Sequence, residues 1–204
     1  MAALGRIAAI SAAALAAYAY LSRSRRRHKF AWHSHHTLSN GTAVVVRTAE
    51  AHDVPAIFSL IHSLAVVCGE GHEMQVDLPS IREAFARGDF EALVATAADG
   101  HVVAMAIVQE SFRTFSGMSL YLQDLIVHEA HRGAGLGALL FELVAACALR
   151  RGCNRVFWES VVDNHRANAF YADTVRAEAV TNHLNWRIEG TDALATCASR
   201  AGVE

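Results

Sequence analysis

Arg132-Gly133-Ala134-Gly135-Leu136-Gly137 sets three glycines in five residues beside a cation, between the apolar run Leu120 to Val127 and a stretch with one apolar helical face. The first amides of a helix have no intrahelical acceptor, and the helix dipole is positive there. Glycines let backbone approach an oxyanion closely and Arg132 adds a full charge, so the run reads as a phosphate cradle. The plainer alternative is a turn that only needs glycine conformations. A P-loop is excluded, because Gly137-Ala138-Leu139 has neither the lysine nor the hydroxyl that motif ends on. A dinucleotide fingerprint, G-x-G-x-x-A, is met by Gly133, Gly135 and Ala138, with Glu159 downstream. Against it, His128-Glu-Ala-His-Arg132 separates strand from glycines, and no repeated βαβ series follows.

Arg132, Gly135 and Gly137 also form R-x-x-G-x-G after an apolar strand, and Asn164-His-Arg-Ala167-Asn-Ala-Phe170-Tyr171 follows as N-x-x-A-x-x-F-Y. In that order and spacing the two segments resemble the GNAT superfamily of acyl-CoA N-acyltransferases, from Thr42 to Glu189. The resemblance implies an α/β fold, a mixed central sheet of six to seven strands with helices on both faces. It implies an N-acetyltransferase that uses acetyl-CoA, and it suggests a homodimer. Carried onto this chain, the diphosphate falls to Arg132, Gly133, Ala134, Gly135, Leu136, Gly137 and Ala138. The pantetheine arm pairs with the strand edge at Leu125, Ile126 and Val127, where a backbone N–H also meets the oxyanion. Asn164 and Ala167 complete the cofactor site, and Tyr171 touches the cofactor and protonates the departing thiolate.

Within the superfamily the chain is similar to the diamine (spermidine/spermine-type) acetyltransferases. Tyr121-Leu-Gln-Asp124 matches their Y-L-E-D strand, and Asn185-Trp186-Arg187 their closing G-W-R segment. The departures fall where an amine would sit. Gln123 stands for the glutamate, Leu184 for another acid, Val67-Cys68 for a Tyr-Glu pair, and Val175 for a glycine. Asp124 remains as a base acting through water, although strict alternation would put it on the opposite face from Gln123. The catalytic candidates are therefore Tyr171, Asp124 and Gln123, and the substrate-binding candidates Glu70, Glu73, Gln123 and Trp186. The acceptor expected is a small amine, diamine-like or lysine-like. The alternative is a CoA-binding module whose catalysis is weak or lost at Gln123.

The chain has 204 residues and a formal charge of −2, which speaks against a nucleic-acid partner. Four cysteines show no paired framework and read as free thiols. Leu4 to Leu21 is largely apolar, Ser22-Arg-Ser-Arg-Arg-Arg-His-Lys29 follows, and the first acidic residue is Glu50. This leader suits a membrane anchor through residues 4–21 that keeps the domain in the cytosol, or else a mitochondrial presequence. His28, His33, His35 and His36 read as a solvated linker rather than a metal site, and no metal is expected.

Three parts follow: residues 1–41 as leader and basic linker, 42–190 as the catalytic domain, and 191–204 as a flexible tail. To position the site, Thr42–Thr48 should open the sheet, followed by a helix with Asp53 as N-cap and Pro55 in its first turn. A second helix runs from Asp77 to Gly88. Ala92–Ala97 and His101–Gln109 should pair across Asp99-Gly100. After the central strand and its helix, Arg155–Ser160 should form a strand and Asn164–Asp173 a helix. Asn182–Glu189 should close the sheet, with Trp186 on its inner face.

Overall fold

The structure, a computed structural model, describes residues 31–72, 74–183 and 185–199. The leader with His28, the loop acid Glu73 and the departure at Leu184 lie outside the described residues. The chain divides into two compact units, Met1–Asn168 and Ala169–Glu204.

The first unit is built on a six-stranded sheet in strand order 1-2-3-4-5-6. Its strands are β1 (His33–Thr37), β2 (Ala43–Thr48), β3 (Glu91–Thr96), β4 (Val102–Arg113), β5 (Gly117–Val127) and β6 (Val156–Phe157). The first five run antiparallel to their neighbours; β5 and β6 are parallel, as a crossover through a helix requires. That helix, α3 (Leu136–Arg150), buries Leu136, Leu140, Phe141, Leu143, Val144 and Cys147. α1 (Val54–Cys68) carries Pro55 in its first turn, where a missing N–H costs nothing, and stops at Gly69, whose φ of 80° suits glycine. Its Ile57 and Leu60 pack into one core with Val94, Met105, Ile107 and Ile126. α2 (Leu78–Arg87) is capped by Asp77, which accepts the Ser80 N–H at 2.9 Å.

Several expectations need correction. The histidine-rich segment read as a linker is an edge strand: His33–Thr37 pairs with Ala43–Thr48 across a turn that buries Leu38. Its polar composition hid it, since an edge strand here has no apolar face to show. Asp53 stands at the N-cap position of α1, as expected, but its side chain makes no capping bond there. Its carboxylate takes both Arg47 nitrogens, at 2.6 and 2.8 Å, and the Glu50 N–H at 2.8 Å, so β2 is tied to the start of the helix instead. The strand expected over Arg155–Ser160 shrinks to two residues.

In the second unit the expected closing strand is absent among the described residues of 182–189, and Trp186 is 87% exposed rather than on an inner face. Residues read as a loose tail form α5 (Thr191–Ser199), an alanine-bearing run with Asp192 in its first turn.

Arg151 closes α3 and anchors it. Its side chain is 4% exposed and reaches Glu91 at 3.0 Å and Glu110 at 3.3 Å, which joins helix, β3 and β4. Removing one member of a buried ion pair leaves an uncompensated charge. Arg151→Ala should therefore lower unfolding stability by about 3 kcal/mol, whereas Arg187→Ala, in an exposed pair with Glu189, should change it by under about 1 kcal/mol. Denaturant melts of both variants check this.

Candidate active site

β5 and β6 share only the pairs Leu120↔Val156 and Tyr121↔Phe157, after which the two strands part. The Leu120 N–H donates to the Arg155 carbonyl, toward β6, and the His128 N–H donates to the Val103 carbonyl, toward β4. Backbone groups alternate sides along a strand, so the N–H groups of Leu125 and Val127 face the side that β6 has left, while those of Ile126 face β4. Of the expected edge residues, Leu125 and Val127 thus present donors there, and Ile126 presents its side chain to the core.

A second irregularity sits beside the first. Ile107 pairs with Asp124 and Val108 with Leu122, so Gln123 is the extra residue of a bulge. Gln123 is exposed. Met105 and Ile107 belong to the core under α1, and Asp124 is the partner of Ile107, which sets it on the α1 side of the sheet. Tyr121 lies on that side too, its ring 4.9 Å from Phe157. Strict alternation would have separated Tyr121 from Asp124; the bulge puts them on one face.

Burial and neighbouring charges shift the ionisable groups around that face. Burial pushes the Asp124 carboxyl up to about 6. Burial also raises the Tyr121 phenol, helped by the fields of Glu159 and Asp124. The Cys68 thiol, at the end of α1, is raised by burial first and then by Glu70 and Asp124. Tyr121 and Cys68 thus lie within electrostatic reach of Asp124, with Glu159 near the phenol and the exposed Glu70 near the thiol. A cleft of about 510 Å³ opens between the end of α1 and the loop after β6, lined by Val66, Val67, Cys68, Val161, Asp163 and Asn164 among others.

The glycine corner lies at the other end of the parted edge. Gly133 and Gly135 have φ of 82° and 88°, and a Cβ built on either would meet nothing within 4 Å. The requirement for glycine is thus conformational, and the space beside the backbone is open. Ala134 is buried, and its carbonyl accepts the Ser39 N–H at 3.3 Å from the β1–β2 turn. Leu136, Gly137 and Ala138 form the first turn of α3, so their amides have no acceptor within the helix. Arg132 donates from Nε to the Val127 carbonyl at 2.8 Å, which clamps the corner to the end of β5.

Asn164 caps α4 (His165–Ala169) by accepting the Ala167 N–H at 3.1 Å. Asn168, which sequence reasoning did not single out, accepts from the Ser160 hydroxyl at 2.7 Å and donates to the carbonyls of Val161 and Val162. Its signal was its place inside the N-x-x-A-x-x-F-Y run. Tyr171 belongs to the second unit, on a π-helical turn (Phe170–Thr174), half-buried, its ring 5.4 Å from that of Phe170. Trp186 is in that unit as well. Among the described residues no group of three or more His, Cys, Asp or Glu could hold a metal, although His33 and His35 stack edge to face.

A mixed sheet that splits beside a glycine corner defines a class, and the comparisons agree: the chain belongs to the Acetyltransferase (GNAT) family, matched over residues 54–174. It is an N-acetyltransferase of that family, whose members use acetyl-CoA as co-substrate. Among relatives, thialysine N-epsilon-acetyltransferase of Bos taurus is 30% identical over 164 residues, covering 72% of this chain and 93% of the relative. The Homo sapiens spermidine/spermine N(1)-acetyltransferase-like protein 1 is 29% identical over 136 residues, 62% of this chain and 19% of that protein. Among solved structures, an integron cassette protein from V. cholerae superposes with a TM-score of 0.62 at 20% identity, over 76% of this chain and 97% of that one. A ribosomal-protein-alanine N-acetyltransferase from Brucella melitensis gives 0.57 at 19% identity, over 72% and 99%. At such identities the structures speak for the fold alone.

Gly133→Ala and Gly135→Ala put a side chain into a left-handed conformation. Each should cost about 1–2 kcal/mol of stability and weaken acetyl-CoA binding in calorimetry, whereas Gly41→Ala, also at positive φ but in the β1–β2 turn, should leave that affinity unchanged.

Proposed function

We propose that this chain transfers the acetyl group of acetyl-CoA to a small or lysine-like primary amine, with Asp124 as the base. The observation that carries this reading is the bulge, which delivers a half-buried carboxyl to the face where the sheet opens. The activity in the printed name of the Bos taurus relative, on thialysine, supports an amine acceptor. Acetyl-CoA supplies an acetyl thioester, and the chain does the rest. The amides of Gly133 to Ala138 and the Arg132 side chain neutralise the diphosphate. Leu125 and Val127 pair with the pantetheine amides, and a strand-end N–H receives the oxyanion. Asn164, with Ala167, sets the helix that frames the cofactor, and Tyr171 protonates the thiolate on the strength of its motif position.

An ammonium of pKa about 10 gives up its proton reluctantly to an ordinary carboxyl near 4, a gap of about 8 kcal/mol. Raising Asp124 to about 6 narrows that gap by about 3 kcal/mol. Water then relays the proton from amine to carboxylate, while Glu70 at the rim attracts the cation; Glu73 and Trp186 are further candidates for the acceptor end. Gln123 contributes a hydrogen bond and no charge, which favours a single ammonium near it over a second one.

The leader supports a further part of the reading. Residues 4–21 anchor the protein with its domain in the cytosol, and the alternative is a mitochondrial presequence. Family resemblance supports a homodimer.

A thiol-release assay over an amine panel tests the function. Amine-dependent release should rise with pH through an apparent pKa near 6, and Asp124→Asn should lose that limb and about 10²-fold in kcat. Tyr171→Phe should lower kcat with acetyl-CoA affinity kept. Retained affinity without amine-dependent release from the parent chain would make it a CoA-binding module instead. The same carboxyl predicts a stability effect. Its raised pKa means the folded state holds a proton that the unfolded state releases, so stability falls as pH rises from about 4 to about 6. Asp124→Asn should therefore be more stable than the parent by about 1–3 kcal/mol at neutral pH, with the difference gone below about pH 4, measured by urea melts.

A further inference from the structure

The end of the first unit at the C-terminus of α3 combines exposed apolar side chains with cations. Phe115 is fully exposed, Leu149 76% and Phe112 71%. These residues are held together: Asn154, just past α3, donates its N–H to the Met118 carbonyl and its Nδ2 to the Ser116 carbonyl, which fixes the turn after α3 against the β4–β5 hairpin tip. Arg150 lies 4.5 Å over the Trp32 ring, and Arg113 lies 4.9 Å over Phe157.

The charge is segregated. Outside residues 1–30 the chain has 12 Lys and Arg against 20 acidic residues, yet residues 109–119 and 148–157 hold four arginines and one acid, Glu110. That acid and Glu91 are matched by Arg151. With Arg151 buried against those acids, three exposed arginines, Arg113, Arg150 and Arg155, remain at one end of an acidic body.

The chain also enters here. Thr48 donates its N–H to the Trp32 carbonyl, and Lys29 precedes Trp32 by three residues, a reach of at most about 10 Å. Before it come five cations in Arg23 to Lys29 and the apolar run to Leu21.

We propose that this end docks on an anionic phospholipid bilayer, with Phe112, Phe115 and Leu149 entering the headgroup boundary and Arg113, Arg150 and Arg155 meeting lipid phosphates. α3 is 15 residues long, so the glycine corner at its other end stands about 22 Å away, clear of the lipid. The surface is additional to any anchor in residues 4–21 and orients the domain that an anchor would only tether.

The test uses the full chain with vesicles of phosphatidylcholine, with and without phosphatidylserine. Phe115→Trp adds an emitter at the hairpin tip, and brominated acyl chains quench fluorophores that enter the boundary. The added emission should be quenched in phosphatidylserine vesicles and recover as salt is raised. Phe112→Ser with Phe115→Ser should weaken salt-sensitive partitioning about tenfold, while the melting temperature and solution acetylation stay at parental values. An added emission that stays unquenched, even if the chain sediments with vesicles, would leave the leader as the sole lipid contact and overturn the proposal. Equal partitioning by the double variant would do the same.

Discussion

Two parallel strands that pair for two residues and then diverge leave backbone donors on an interior edge, and the proposed cofactor path follows that parting. Backbone N–H groups are seldom left without an acceptor in a folded protein. The sheet could have satisfied Leu125 and Val127 by extending β6, and it does not. What fits an edge of that kind is another extended chain carrying amides. A corner of glycines beside a helix N-terminus completes a path along which one elongated, anionic cofactor can lie. The clamp from Arg132 to the Val127 carbonyl keeps edge and corner in fixed relation.

The bulge at Gln123 is the second device. One unpaired residue changes which side chains share a face, and it turns Asp124 toward the opening instead of leaving it against α3. Burial there has opposite consequences for stability and for chemistry. A carboxyl pushed up to about 6 weakens the folded state at neutral pH, yet it is a stronger base than an ordinary aspartate. Loss of the family's glutamate at Gln123 is thus compensated by placement, in this reading, rather than by another residue type.

The sequence made the glycine corner legible because the types themselves carry the physics: three glycines and an arginine after an apolar strand have few other uses. It also made α1, α2 and α3 legible, through Pro55, Asp77, Gly69 and Gly88. It did not reveal the bulge. Leu122, Gln123 and Asp124 alternate like any strand, and only pairing with Val108 and Ile107 shows the slip. The β1 strand was hidden because its histidines and serine carry no apolar period, and its pairing comes from β2 across a buried Leu38. The closing strand expected over Asn182–Glu189 had Trp186 on its inner face, but Trp186 is exposed. Spacing can propose a strand; a neighbour must accept it.

The parting of β5 and β6 is tested most directly by hydrogen exchange at single amides, read with and without saturating acetyl-CoA. The Leu125 and Val127 amides should exchange quickly in the free chain and slow about tenfold or more when the cofactor pairs with them, while Ile126, already facing β4, stays slow throughout. If Leu125 and Val127 are protected without cofactor, or are unmoved by it, the open edge is not where the cofactor lies, and the reading of the site fails with it.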